Sequence, residues 1–237
     1  MPSFNFAMTF LAIAVASHLA VAQEISSNHK IKPVESIKTI PSRIAFGSCA
    51  KETKKQPILR TIVDHKPDLF VYLGDNIYGD TKDIKVLAEK YSTLGSKPEF
   101  QSLAEAVPLL SVWDDHDYGW NDAGKEYVLK AESKELFMEF WQVPAASQRR
   151  QHEGIYGAHS FSDGKRKLQI ILLDTRTFRD LLKRNSKADV EAKGQEAARW
   201  MNQYQPDSSP EKTLLGEEQW KWLETVLAEP ADLRIIC

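Results

Sequence analysis

Trp113-Asp114-Asp115-His116-Asp117 sets three carboxylates and an imidazole in consecutive positions. All four groups can bind a metal ion or move a proton. They follow Val107–Val112, an apolar run with the pattern of a buried strand. In an open α/β sheet the chemistry lies in the crevice beyond the carboxyl ends of the strands, and this run falls there. An acidic loop alone is more often a solvated turn. Two earlier strand ends strengthen the case: Gly47-Ser48-Cys49 and Gly74-Asp75-Asn76-Ile77-Tyr78 also leave short apolar runs.

Cys49, Asp75, Tyr78, Asp115 and Asn121 form a ligand set for two metal ions. A thiolate, a phenolate and a carboxylate together suit a strongly Lewis-acidic ion such as ferric iron, and zinc also fits. Asp75 can bridge both ions with its two oxygens, and Tyr78 is near enough in the chain to return to the same ion. Asp115 and Asn121 offer hard oxygens for calcium, magnesium or manganese. Two such ions close together generate a bound hydroxide at neutral pH and clamp a phosphoryl group. His116, with Asp115, is the candidate catalytic pair, the imidazole protonating a leaving oxygen or stabilising developing charge.

Each residue also has a plainer reading. Cys49 could be a small buried apolar side chain, Tyr78 a core or rim aromatic, and Asn121 a turn former. Asp114 and Asp117 could orient His116 or cap a helix. Arg176 could meet phosphate, or pair with neighbouring Asp174. His65 reads as exposed at a helix end. His152 and His159 lie in or beside later strands, outside the site.

The elements that must position these residues follow from periodicity. A strand at 43–46, a helix opened by Pro57 with Ile58, Leu59, Ile62 and Val63 on its apolar face, and a strand at 69–73 make a βαβ unit. Its strands should be parallel, which puts Cys49 and Asp75 on one edge. Lys51–Lys55 reads as a charged loop. Helices are expected at 83–91, 98–106 and 126–141, the last with Leu129, Leu136, Phe137, Phe140 and Trp141 apolar. Gly119 and Gly124 bracket a loop holding Asn121 and Asp122. Strands at 154–161 and 167–173 join around Asp163-Gly164, a hairpin signal. Asp174-Thr175-Arg176 closes the second, and a helical and irregular stretch including 197–204 follows. A helix from Gly216, with Glu217 and Glu218 at its positive end, turns Trp220, Leu223 and Leu227 to the core. A last strand begins at Leu233.

The first 22 residues hold no Asp, Glu, Lys or Arg. An apolar run at 10–16 and Ala20-Val21-Ala22 before Gln23 have the form of a cleaved signal peptide. The run, broken by Ser17 and His18, is marginal for a bilayer about 30 Å thick. Export is therefore expected, to the periplasm or outside, with no stable membrane association after cleavage. A polar lead-in occupies 23–42, and 43–237 is long enough for one domain with a sizeable core. A net charge of −2 carries no polybasic signature, which argues against nucleic acid or anionic membrane as partner. Two cysteines, Cys49 and Cys237, make no disulfide framework. They either form one bridge or leave Cys49 as a thiol that metal ligation would protect.

Taken in order, Gly47–Cys49, Gly74–Tyr78, Trp113–Asp117 with Asn121, Leu172–Arg176 and Leu214–Trp220 resemble the alkaline phosphatase D family of metallophosphatases. The resemblance spans about residues 43–237. It implies an α/β fold, a calcineurin-like sandwich of two mixed β-sheets flanked by helices. It also implies phosphoester hydrolysis at a two-metal site, as a metal-dependent phosphomonoesterase or phosphodiesterase; a small phosphoester substrate and a monomer are expected. By the same resemblance Cys49, Asp75 and Tyr78 bind iron, Fe(3+), with Asp75 bridging. The Asp115–Asn121 region binds the second ion, calcium, and His116 is the histidine beside the metals. The family pattern continues past the Leu214–Trp220 helix to a late Asp and His, and no histidine follows His159 here. The expectation is therefore a domain incomplete after residue 237, poorly soluble or partly unfolded alone. The alternative function is an inactive metal- or phosphate-binding remnant.

Overall fold

A computed structural model describes residues 28–186, 188 and 203–237. The leader at 1–22 and most of the 197–204 stretch lie outside the described residues. Among the described residues no helix is long and apolar enough to cross a membrane.

The first sheet holds β1 (Ile44–Gly47), β2 (Leu69–Leu73) and β3 (Leu109–Val112) in that order, all parallel. Helix α1 (Ile58–Asp64) connects β1 to β2; α2 (Ile84–Gly95) and α3 (Pro98–Ala106) connect β2 to β3. Parallel strands covered on both faces read as continuous apolar runs, and β2 does: Leu69, Phe70, Val71 and Tyr72 are all buried. Local signals set the helix ends. The Asp83 side chain accepts from Lys85 N at 2.9 Å to start α2, and Pro98 opens α3.

Helix α4 (Asp115–Tyr118) is a single turn directly after β3, and α5 (Lys130–Phe140) follows. The helix expected from residue 126 begins four residues later. Glu126 Oε1 turns back to accept from Gly124 N at 3.0 Å, and Tyr127 N donates to Gly124 O at 3.0 Å, so the chain makes a tight turn there instead. From α5 onward Leu136, Phe137, Met138, Phe140 and Trp141 are buried.

The second sheet is mixed. The β4 (Gly157–Ser162) and β5 (Lys167–Leu172) strands form the antiparallel hairpin, and β6 (Leu233–Ile236) pairs parallel with β5 after α6 (Gly216–Ala228). The Asp163 carboxylate accepts from Lys165 N and Arg166 N, and Gly164 takes φ +85°, which shapes the turn. β4 starts three residues later than expected because Ile155 N is held by Asp174 Oδ2 at 2.9 Å, away from any ladder. Leu168, Ile170 and Leu172 join the core shared with the first sheet, while Ile171 packs with Leu215, Leu223 and Val226 under α6.

Three expected core positions lie outside it. Trp220 and Leu227 of α6 are 49% and 39% exposed, because its packed row is Gln219, Leu223 and Val226. Ile58 is 61% exposed as the first residue of α1, whereas Leu59 is 3% exposed. Conversely, the charged loop at 51–55 sends Glu52 fully inside, where it pairs with Lys90 at 2.9 Å.

This division of α1 is testable by urea unfolding. Leu59→Ala should cost about 2–5 kcal/mol. Ile58→Ala should stay within about 0.5 kcal/mol of the parent. Equal losses would mean that both residues pack.

Candidate metal centre

The three parallel strands end together, and their loops are laced by backbone bonds. Cys49 N donates to Gly74 O at 3.2 Å and Ala50 N to Asp75 O at 2.9 Å. Gly79 N donates to His116 O at 3.0 Å, and Thr81 N to Gly119 O at 2.8 Å. Cys49 and Asp75 both sit at positive φ, +57° and +54°. Such left-handed residues concentrate at functional sites. Gly74 precedes Asp75 with φ +100°, and a Cβ there would lie 2.6 Å from Asp114 N. Only glycine lets the β2 loop approach the β3 loop this closely.

Carboxylate oxygens of Asp75 and Asp115 and a ring nitrogen of His116 all lie within 4.8 Å of one another. Asp75 Oδ2 is 3.6 Å from Cys49 Sγ, and Asp75 Oδ1 is buried with no hydrogen-bond partner. A buried orphan carboxylate oxygen is costly unless something cationic meets it. The donor set therefore fits a metal ion.

Asp115 is fixed at both oxygens, Oδ1 by His116 N at 3.0 Å and Oδ2 by Asp122 N at 2.6 Å. His116 Nδ1 bonds Asp80 Oδ1 at 2.8 Å, and its ring stands on Tyr78 with centroids 4.2 Å apart. Tyr78 N donates to the buried Glu52 at 2.9 Å.

Electrostatics separate the two acids. Burial, then repulsion from Asp115 and Asp114, raises the Asp75 carboxyl to about 6, against the pull of His116 and Cys49. Asp115 also feels burial upward, but the Asp122 amide, Arg176 and His116 bring it below the ordinary range. Tyr78 is raised to about 12 by burial, with Asp75 and Cys49 adding to it. Its phenol is therefore protonated at neutral pH, and a phenolate ligand would need a cation beside it.

The structure gathers Cys49, Asp75, Tyr78, Asp115 and His116 at one edge. Asn121 stands exposed at the rim, its Nδ2 donating to Asp122 Oδ2 at 2.7 Å and its backbone N to Asp80 Oδ1 at 2.9 Å. Asp117 does not face the cluster: its oxygens accept from Asp114 N, Asp75 N, Asn76 N and Asn76 Nδ2. Arg176 pairs with Asp114, Nε to Oδ1 at 2.6 Å, and not with the Asp174 side chain. Asp174 is fully buried and already occupied by Trp113 Nε1, Ile155 N and the backbone N–H groups of Arg176 and Thr177. Cys49 and Cys237 are both free, so no bridge joins them. His65 is exposed as expected, and His152 stacks on Tyr156 instead of entering the cluster.

Asp80, Glu52 and Asp122 also serve the site, and the sequence reading passed over their roles. Asp80 had one available signal, its place in the same loop as Asp75 and Tyr78. Nothing local in the sequence marks Glu52 as buried.

Fold and site together define an α/β protein with a cluster of carboxylates and an imidazole, a candidate metal-binding group, at the ends of parallel strands. The sequence pattern described as PhoD-like phosphatase matches residues 44–233, and the chain belongs to that family. A solved structure of PhoD shares the fold at 20% identity with a TM-score of 0.63, covering 84% of this chain and 41% of that one. The chain thus spans about two fifths of the PhoD structure. A purple acid phosphatase from yellow lupin (Lupinus luteus) seeds overlaps more loosely, at 16% identity and a TM-score of 0.37, covering 65% of this chain and 27% of its own. A comparison with curated proteins finds no match.

The raised Asp75 carboxyl has a consequence for the metal-stripped chain. The folded state holds that proton more tightly than the unfolded state, so its contribution to stability falls as pH rises from about 4 toward 6. In chelator, Asp75→Asn should raise the thermal midpoint at pH 7 relative to the parent and flatten this part of the pH profile. A lower midpoint for Asp75→Asn at pH 7 would contradict the assignment.

Proposed function

We propose that the strand-end site hydrolyses phosphoesters with bound metal ions. The supporting observation is the unpartnered Oδ1 of Asp75 inside a three-donor cluster, in a member of the PhoD-like phosphatase family. Cys49, Asp75 and Tyr78 would hold one ion, with ferric iron suited to that donor set. Asp115 and Asn121 would hold a second, with calcium suited to hard oxygens, and Asp75 would serve both. Bound ions there supply Lewis acidity toward the phosphoryl group and activate water. Zinc, magnesium and manganese are the competing occupants.

The chain's own residues do the rest. Asp80 holds one ring nitrogen of His116, so the other can give a proton to the departing ester oxygen as its bond to phosphorus breaks. Arg176, anchored on Asp114 beside Asp115, brings positive charge toward a phosphoryl oxygen. The uncharged N-terminal residues support an exported protein; a small phosphoester substrate and a monomeric state complete the reading.

Turnover of bis(p-nitrophenyl) phosphate and p-nitrophenyl phosphate should be abolished by chelator and by Asp75→Ala. Chelator-insensitive turnover would sink the metal mechanism. Full metal occupancy without turnover would favour a binding remnant. His116→Ala should lower kcat about 10²–10⁴-fold on an alkyl phosphoester. The loss should be smaller on the nitrophenyl ester, whose leaving group needs no proton. Equal losses on both substrates would remove His116 from the proton-donor role.

A further inference from the structure

A partly open pocket lies away from the strand ends, between β3 of the first sheet and β4 of the second, with a volume of about 340 Å³. None of Cys49, Asp75, Tyr78, Asp115 and His116 lines it. Ile31, Val34 and Trp141 give it apolar walls, and Arg149 and His159 supply its inner polar groups.

Arg149 is the anomaly. It is 5% exposed, and burying a charge is costly unless the charge is paired. Nε donates to Ile155 O at 2.6 Å and Nη2 to Ser111 O at 2.8 Å, and the Phe137 ring lies 5.7 Å from Cζ. Gly157 makes room for it: a Cβ there would stand 2.7 Å from Arg149 Cγ. Two carbonyls and a ring satisfy part of the guanidinium, and the buried Asp174 carboxylate favours its charge from a distance without bonding to it. No described carboxylate forms an ion pair with it. Exposed Lys30 and Glu35 also line the space and offset each other, leaving Arg149 as its net charge. Burial and the neighbouring Arg149 push His159 down to about 4, so it is a neutral hydrogen-bonding group at pH 7.

We propose that this cavity binds a small monocarboxylate with an apolar tail, its carboxylate on Arg149 beside His159 and its tail against Ile31, Val34 and Trp141. One cation with no ion-pair partner, only the more distant Asp174 carboxylate favouring its charge, suits a monoanion better than a dianion such as phosphate. A volume at the lower end of ligand pockets suits a short chain or a single ring. The site is independent of phosphoester hydrolysis at the strand ends.

Isothermal titration calorimetry on the 237-residue chain with octanoate, octanol and inorganic phosphate tests it. Octanoate should bind saturably at one site. Octanol, with the same tail and no charge, should bind about tenfold weaker. Arg149 also holds two carbonyls, so its removal could unfold the chain; Val34→Trp fills the cavity from its apolar lining and leaves Arg149 in place. That variant should keep the parent circular dichroism spectrum and lose octanoate binding. The proposal is overturned by absence of saturable octanoate binding, by octanol binding as tightly, by displacement of octanoate by phosphate, or by unchanged binding in folded Val34→Trp.

Discussion

The buried carboxylate of Asp117 ties the loop after β2 to the loop after β3. Four N–H groups converge on it: the amides of Asp75, Asn76 and Asp114 and the side-chain amide of Asn76. Asn76 Nδ2 also reaches Val112 O at 2.9 Å, so the clamp extends to the end of β3. Burial pushes the Asp117 carboxyl well above the usual range, and the bonds from the Asp114 and Asn76 amides pull it back. Asp75 and Asp115 hold their relative positions because their backbones share this anchor.

The anchored loops carry strain and repulsion. Cys49, Asp75, Asp80 and Asp122 are all non-glycine residues at positive φ. Each such residue costs of order 1–3 kcal/mol and persists only where its surroundings overdetermine it. The carboxylates of Asp75 and Asp115 repel across the same few Å. The Asp114–Arg176 ion pair at one side supplies positive charge and the Asp80–His116 bond at the other fixes position, yet Asp75 Oδ1 still has no partner. A cation at the centre of the cluster would offset both the repulsion and the unpartnered oxygen. The second sheet serves the same centre from behind: Asp174, at the end of β5, receives the indole of Trp113 and so fixes the residue that opens the acidic run.

Much of this was legible in the sequence because parallel strands and their carboxyl ends leave strong local marks. Continuous apolar runs located β2 and β3, Pro98 opened α3 where expected, and Asp163-Gly164 marked the hairpin. Once the strands were parallel, Cys49, Asp75 and Asp115 had to share an edge. What escaped depends on contacts made in three dimensions. Glu52 reads as one more charge in a basic loop, and only Lys90 and the Tyr78 amide explain its burial. Arg176 has an acid two residues away, but Trp113 and Thr177 had already taken that acid, so the pair formed across the sheets with Asp114. Trp220 and Leu227 are apolar at helical spacing, yet the face of α6 that meets β5 is set by Gln219, whose amide bonds Asp174 at both backbone groups.

The central claim is that Asp75 is the anionic centre of a metal site built by the ends of three parallel strands. Anomalous diffraction from crystals of the chain soaked in manganese tests it most directly. The account predicts a peak within about 2.0–2.6 Å of an Asp75 carboxylate oxygen, with Asp115 or His116 in the same coordination shell. Well-ordered Asp75 and Asp115 side chains with no peak between them, or with manganese bound only elsewhere, would contradict it.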